Sequence, residues 1–293
     1  MKQFSYYAPT DLEGVLKILA HGEDTYFIAG GTDIMIQMRK KWVQPRKLID
    51  LKQVSEINYI REDGDVIRVG ATTTFTQLER SDLIKRYAKV LANSAAEVGS
   101  PQIRNLGTVG GNIANSSAAA DSVTALMALD AKLKLVSLSG ERVVELKEFY
   151  IGNGNTSLKP DEVITEVFFN KREYSEFKKL GRRKALAIVV LSVGAAFKLN
   201  MNENTFSNVK ISLGAVARHP MRAYEAEQIL EGQEISFLKL EECIEKISEI
   251  AEASVTNSPF KLLAPYKKES IKGVARQVLE NLYNEQVKAN KGV

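Results

Sequence analysis

The sequence predicts an α+β protein in two parts, and three observations carry that expectation. Strand-like and helix-like segments mix through the first half without the strict alternation of a doubly wound sheet. The texture changes near Lys171, where a group of strand-like runs is followed by an almost wholly helical stretch. At 293 residues the chain is long for one domain and comfortable for two.

Each element follows in order from its pattern. "TDLEGVLKILAHG" puts Leu12, Val15, Leu16 and Leu19 on one helical face, with Thr10 or Asp11 as cap and Gly22 as stop. "TYFIAG" is a short apolar strand that runs into Gly30 and Gly31. "KLIDL" (47–51) and "VIRVGATTT" (66–74) read as further strands. "FTQLERSDLIKRYAKVLANSAAEVG" is helical material broken near Ser81 and Asp82, and "DSVTALMALDA" is another helix. "KLKLVSLSGERVVEL" alternates on either side of Ser139 and Gly140, as a hairpin does, and "DEVITEVFF" adds one more strand. Past a boundary at 174–176, "FKKLGRR", "AIVVLSVGAAFKLN" and "FSNVKISLGAVA" read as antiparallel strands, with "NMNENT" turning between the last two. From Met221 onward the pattern is helical, in "MRAYEAEQILEG" and then over 237–254 and 267–285.

Composition limits the function. Forty basic residues against 36 acidic leave a net charge of +4 with no dense basic arm, which argues against nucleic acid as the main partner. No apolar run approaches the ~18 residues of a membrane span. The start, "MKQFSYYAPTDLEG", lacks the apolar centre of a signal peptide, so a cytoplasmic protein without membrane insertion is expected. The single cysteine, Cys243, closes no intrachain disulfide and holds no zinc or iron–sulfur cluster by itself. It recurs with Leu240, Ile244, Ile247 and Ala251 at helical spacing, which predicts a buried structural thiol. His21 and His219 stand in no ligand spacing, so no metal site is expected.

Two small-residue segments stand out. "FIAGGTDIM" (27–35) ends a strand at paired glycines, adds the hydroxyl of Thr32, and offers Asp33 as a cap. "GTVGGNIANS" (107–116) repeats the ingredients with Thr108, Gly110, Gly111 and Asn112. Successive N–H groups turned to one side bind anions, and glycine lets the ligand approach; two such nests suit a diphosphate. The other reading is two tight turns against close-packed backbone. No GxxxxGK[ST] string occurs, and neither "GTVGG" nor "GNGNTSL" (152–158) has the dinucleotide spacing.

These residues resemble a family. "AGGTD" (29–33) and "GSPQIRNLGTVGGNIANSSAAAD" (99–121) are similar to the two flavin-binding segments in the FAD subunit of the molybdenum hydroxylases. That is the medium subunit of bacterial xanthine dehydrogenase, nicotinate dehydrogenase and carbon monoxide dehydrogenase. "DEVITEVFF", "FKKLGRRKALAIVVLSVGAAF" and "VKISLGAVARHPMRAYEAEQIL" match in order, so the resemblance covers the whole chain.

The resemblance implies a vanillyl-alcohol-oxidase-type (PCMH-type) FAD-binding domain over 1–173, in α+β subdomains of about 1–55 and 56–173. A C-terminal domain of the CO dehydrogenase flavoprotein type, three antiparallel strands with a helical bundle, would occupy 174–293. Carried over by position, Phe27, Ile28, Ala29, Gly30, Gly31, Thr32, Asp33 and Ile34 would form the first FAD loop, with Gly30 and Gly31 donating to the pyrophosphate. Thr108, Val109, Gly110, Gly111 and Asn112 would form the second. Val98 and Gly99 would line the cofactor, Ile164 would pack near it, and Asp121 would bond one of its polar parts. Lys178 would approach the flavin ring and stabilise negative charge on its reduced form. Outside the resemblance, Asp121 reads as a helix N-cap, a role compatible with the first, and Lys178 as a solvated charge. "GRRK" (181–184) is either an anion patch for NAD or, through Arg182 and Arg183, a source of ion pairs between subunits. Tyr6 and Tyr7 read as core or edge packing.

The implied function is an FAD-carrying electron-transfer subunit of a heterotrimer, or of a dimer of heterotrimers. A large molybdopterin subunit would hydroxylate xanthine, another purine or another N-heterocycle, and a small subunit with [2Fe-2S] clusters would pass the electrons to FAD. NAD, oxygen or another acceptor would receive them. No catalytic residue and no metal are expected in this chain. The cysteine-rich insertion of the 4-hydroxybenzoyl-CoA reductase branch is missing, which implies a flavin-only subunit. Two alternatives stay open: a stand-alone FAD-dependent oxidoreductase and a non-enzymatic nucleotide-binding module.

Overall fold

A computed structural model describes residues 3–20, 24–152, 155–183, 188–256 and 261–290. Its first layer is a parallel sheet, ordered β1-β3-β2, of β1 (Ser5–Tyr7), β2 (Thr25–Ile28) and β3 (Lys47–Asp50), with α1 (Leu12–Leu19) and α2 (Ile34–Arg39) in the crossovers. Helix α1 starts at Asp11, whose carboxylate accepts the Gly14 N–H at 2.7 Å. Its apolar face buries Val15, Leu16 and Leu19 against Ile49 and Leu51. The expected stop, Gly22, lies outside the described residues.

The middle of the chain builds a five-stranded antiparallel sheet with helices on one side. Its strands are β4 (Ile60–Asp63), β5 (Val66–Gly70), β6 (Lys132–Ser137), β7 (Gly140–Glu145) and, after the two short strands β8 (Tyr150–Gly152) and β9 (Asn155–Thr156), β10 (Val163–Asn170). The order β4-β5-β10-β6-β7 places the last of them at the centre. The helices are α3 (Phe75–Arg80), α4 (Asp82–Tyr87), α5 (Lys89–Glu97), α6 (Pro101–Leu106), α7 (Val109–Ala114), α8 (Asp121–Ala128) and α9 (Leu146–Phe149). The strand expected to reach Thr74 stops at Gly70, because the Thr73 N–H turns back to the Gly70 carbonyl at 3.0 Å. Thr74 instead caps α3 in a reciprocal box with Gln77. The glycine run folds into the short helices α6 and α7, so its turns are helix starts.

The remainder forms an antiparallel sheet of β11 (Ser175–Gly181), β12 (Val189–Asn200), β13 (Thr205–Gly214) and β14 (Met221–Arg222), covered by α10 (Tyr224–Leu230), α11 (Phe237–Thr256) and α12 (Ala264–Asn290). The sheet has four strands where three were expected. Met221 and Arg222, read as the start of a helix, pair with Leu213 and Ser212 instead. The reason is tertiary: the buried Arg222 guanidinium reaches Glu227 at 2.6 and 2.7 Å and Asp130, distant in the chain, at 2.5 Å, and extended backbone puts it there. Cys243 is fully buried in this core, its thiol donates to the Ala226 carbonyl at 3.4 Å, and burial pushes its pKa up to about 12. Such a thiol is packing and not a nucleophile.

Helix α8 joins the two halves. Every residue of it is buried, because one face meets the middle core and the other meets β12 and β13. The glycines of those strands make the close approach possible: a Cβ on Gly194 would stand 2.9 Å from the Ser212 hydroxyl, which itself donates to the Thr124 carbonyl at 2.6 Å. Among the described residues no helix is long and apolar enough to cross a membrane.

Candidate functional site

Where β2 ends, the chain turns at Gly30 and Gly31 and leads into α2; where α6 ends, it turns at Gly107 and Thr108 and leads into α7. These turns face each other across a cleft of about 500 Å³, a volume within the usual range of ligand sites. A third wall comes from the loop before β10, through Thr156, Leu158, Lys159, Pro160 and Glu162.

The first turn and the second offer different chemistry. Among the described residues, no acceptor is present for the N–H groups of Gly30, Gly31, Thr32 and Asp33, and Gly31 takes a φ of +71° that suits glycine. At the second turn the Val109 and Gly110 N–H groups are already used, on the carbonyls of Thr73 (3.0 Å) and Ala71 (2.8 Å). What faces the cleft there is Gly111, the Thr108 hydroxyl that accepts the Gly111 N–H at 3.2 Å, and the Asn112 amide. Two equivalent nests were expected; one row of open donors and one polar helix start are present. Asp33 was expected to cap α2, but its carboxylate makes no capping bond; its carbonyl accepts from Ile36 and Gln37 instead.

The small residues also have two different causes. A Cβ on Gly30 would fall on the Leu106 carbonyl, and one on Gly110 would lie 2.7 Å from the Ala71 Cβ and 2.8 Å from its carbonyl oxygen. Both glycines are therefore required by chain packing. Gly111 is exposed to the cleft, and a Cβ there would meet only the Thr108 hydroxyl.

Of the residues singled out in the sequence, Phe27, Ala29, Gly30, Gly31, Thr32, Asp33, Ile34, Val98, Thr108, Gly110, Gly111, Asn112 and Ile164 line the cleft. Ile28 lies behind Gly31, and Val109 is fully buried. Gly99, at a φ of +47°, makes the turn from α5 to α6. Asp121 is the first residue of α8 and not its cap, since Ala120 takes the capping position. Its Oδ2 accepts from the ammonium of Lys179 at 2.7 Å, its buried Oδ1 has no partner among the described residues, and Asp121 is not in the lining of the cleft. Desolvation raises the Asp121 pKa to about 6 although Lys179 opposes it. Lys178, half-buried on β11, is not in the lining; strand alternation sends its side chain to the face opposite that of Lys179.

Other wall residues carry no local signal in the sequence. The third wall is held by Arg142 on β7, whose guanidinium reaches Glu162 at 2.6 and 2.8 Å and the Ser157 carbonyl at 2.7 Å. Gln37 on α2 donates to Asn115 at the end of α7 at 3.0 Å, which ties the two helices together across the cleft. Both contacts join residues far apart in the chain.

Comparison with known proteins agrees across the whole length. The family described as "FAD binding domain in molybdopterin dehydrogenase" matches residues 2–170, and "CO dehydrogenase flavoprotein C-terminal domain" matches 175–282. The nicotinate dehydrogenase FAD-subunit of Eubacterium barkeri is 35% identical over 97% of this chain and 98% of its own. The xanthine dehydrogenase FAD-binding subunit of Escherichia coli O157:H7 is 31% identical over 83% and 84%. Among solved structures, a carbon monoxide dehydrogenase from Hydrogenophaga pseudoflava superimposes with a TM-score of 0.87 at 26% identity, covering 97% of this chain and 98% of that one. Quinoline 2-oxidoreductase from Pseudomonas putida 86 gives 0.84 at 26% identity, covering 98% and 99%.

Proposed function

The chain belongs to the family of FAD-binding subunits of molybdopterin dehydrogenases, and from that premise we propose that it holds FAD in the cleft and relays electrons for partner subunits. The observation that carries this reading is the row of open N–H donors from Gly30 to Asp33 on one wall of the cleft. Those donors suit the diphosphate. On the other side, the Thr108 hydroxyl and the Asn112 amide would add polar contacts, while Phe27, Val98 and Ile164 would supply apolar walls. The unpartnered Oδ1 of Asp121 fits a donor on the same cofactor.

Bound FAD supplies a redox centre able to take electrons from [2Fe-2S] clusters and deliver them to NAD or another acceptor. The chain's own tasks are to bind, to orient and to exclude water. Substrate hydroxylation belongs to a molybdopterin-containing large subunit, and the names of the relatives, FAD-subunit and medium chain, support such an assembly. The division at 173 and 174 is part of the proposal: an FAD-holding domain in subdomains of about 1–55 and 56–173, then a C-terminal domain over 174–293.

A visible absorption spectrum of the purified chain, with the released cofactor weighed by mass spectrometry, tests the reading. A flavin spectrum and the mass of FAD support it. A colourless chain that takes up no added FAD overturns it.

A further inference from the structure

The family resemblance assigns a role to Lys178 and none to Lys179, the lysine after it. In the fold it shares the face of β11 that carries Phe177, which is buried in the middle core. Its side chain is only 5% exposed. The ammonium donates to Asp121 Oδ2 at 2.7 Å and to the Glu97 backbone carbonyl at 2.7 Å, with the Glu97 carboxylate 3.9 Å away. One buried cation thus gathers three segments: the end of α5, the start of α8 and the first strand of the C-terminal sheet.

Each of the two partners adjoins the cleft through the next residue. Val98 follows Glu97 and lines the cleft. Ser122 follows Asp121, and its hydroxyl donates to Asn112 Oδ1 at 2.7 Å, which leaves the NH₂ of that amide as its remaining donor group. Neither Lys179 nor Asp121 is in the lining; Asp121 adjoins it only through Ser122 and the Asn112 amide. Among the described residues, Lys179 on β11 and Glu97 on α5 are the charged groups that face Asp121. A buried carboxylate with one oxygen answered and the other bare is costly, and it keeps its geometry only while the answering cation stays.

We propose that Lys179 is a positioning residue that holds Asp121 by one oxygen and the Glu97 turn by its carbonyl, and so presents the free Oδ1 to a hydrogen-bond donor on the bound cofactor. This rests on the reading of the cleft as an FAD site and adds to it the residue that couples the site to the C-terminal sheet. The coupling is electrostatic. Without the cation, desolvation and the Glu97 charge govern Asp121, which then takes up a proton at higher pH and loses the acceptor that the cofactor needs.

The test is FAD affinity of the full chain, by quenching of flavin fluorescence between about pH 5 and pH 8, for wild type, Lys179→Met, Lys179→Arg and Asp121→Asn. Wild-type affinity should fall up to about tenfold per pH unit below the Asp121 pKa of about 6. Lys179→Met should weaken binding by about tenfold at pH 7 and move the fall to higher pH, and Lys179→Arg should restore most of both. Asp121→Asn should bind weakly with no fall in this range. A Lys179→Met chain with wild-type affinity and wild-type pH profile overturns the proposal. Should that variant fail to fold by circular dichroism, Asp121→Asn decides: an unchanged pH profile there overturns it as well. A folded wild-type chain that binds no FAD at any pH sinks the functional reading itself, an outcome distinct from either.

Discussion

Gly30 and Leu106 meet backbone to backbone: the space where a Gly30 Cβ would sit is filled by the Leu106 carbonyl. The two turns that face the cleft are therefore one packed unit, and Gly110 repeats the arrangement against Ala71. Gly30→Ala and Gly110→Ala should each force the backbones apart and destabilise the fold by about 1–3 kcal/mol. Urea denaturation checks this, and unchanged midpoints in both variants would show that the loops separate freely.

Gly111 gives the contrasting case. A side chain there meets only the Thr108 hydroxyl, so Gly111→Val should lose at most the value of that cap, about 1 kcal/mol. Its bulk projects into the cleft, and FAD affinity should fall by more than about tenfold, or 1.4 kcal/mol. Isothermal titration beside a thermal melt separates the effects; normal affinity in a folded variant would remove Gly111 from the binding wall.

The third wall depends on Arg142. The guanidinium beside Glu162 holds that carboxyl below its ordinary value of 4.5, so the folded chain takes up this proton less readily than the unfolded one. The stability contributed is fully present above the unfolded value and disappears as pH falls through the folded one. Arg142→Met should cost about 2–3 kcal/mol at pH 7, discounted because the arginine is one-third exposed. The gap between variant and wild type should narrow as pH drops below about 4.5. A gap independent of pH in chemical denaturation would show that the loss is packing alone. Limited proteolysis should cut the variant first within the loop that Arg142 braces.

Cys243 should behave as core. With its pKa pushed up to about 12 and no exposed surface, it should react with a thiol reagent only as fast as the native chain opens. Stopped-flow labelling with and without urea checks this. Rapid stoichiometric labelling of the folded chain would place the thiol at the surface.

Local pattern was enough for the α+β class, a cap at Thr10 or Asp11 (the structure uses Asp11), the broken helix after Thr74 and the helical burial of Cys243, because each is written in a local period or a capping residue. It also marked the two glycine segments that now face each other. Why those glycines are there is a matter of long-range packing: Gly30 and Gly110 yield to backbones distant in the chain, while Gly111 opens on the cleft. The same packing makes Met221 and Arg222 an edge strand, since a buried guanidinium had to reach Glu227 and Asp130. And it chose between two adjacent lysines. Alternation along β11 puts Lys179 toward Asp121 and Lys178 on the opposite face, a choice of phase set by which side of the strand meets the core.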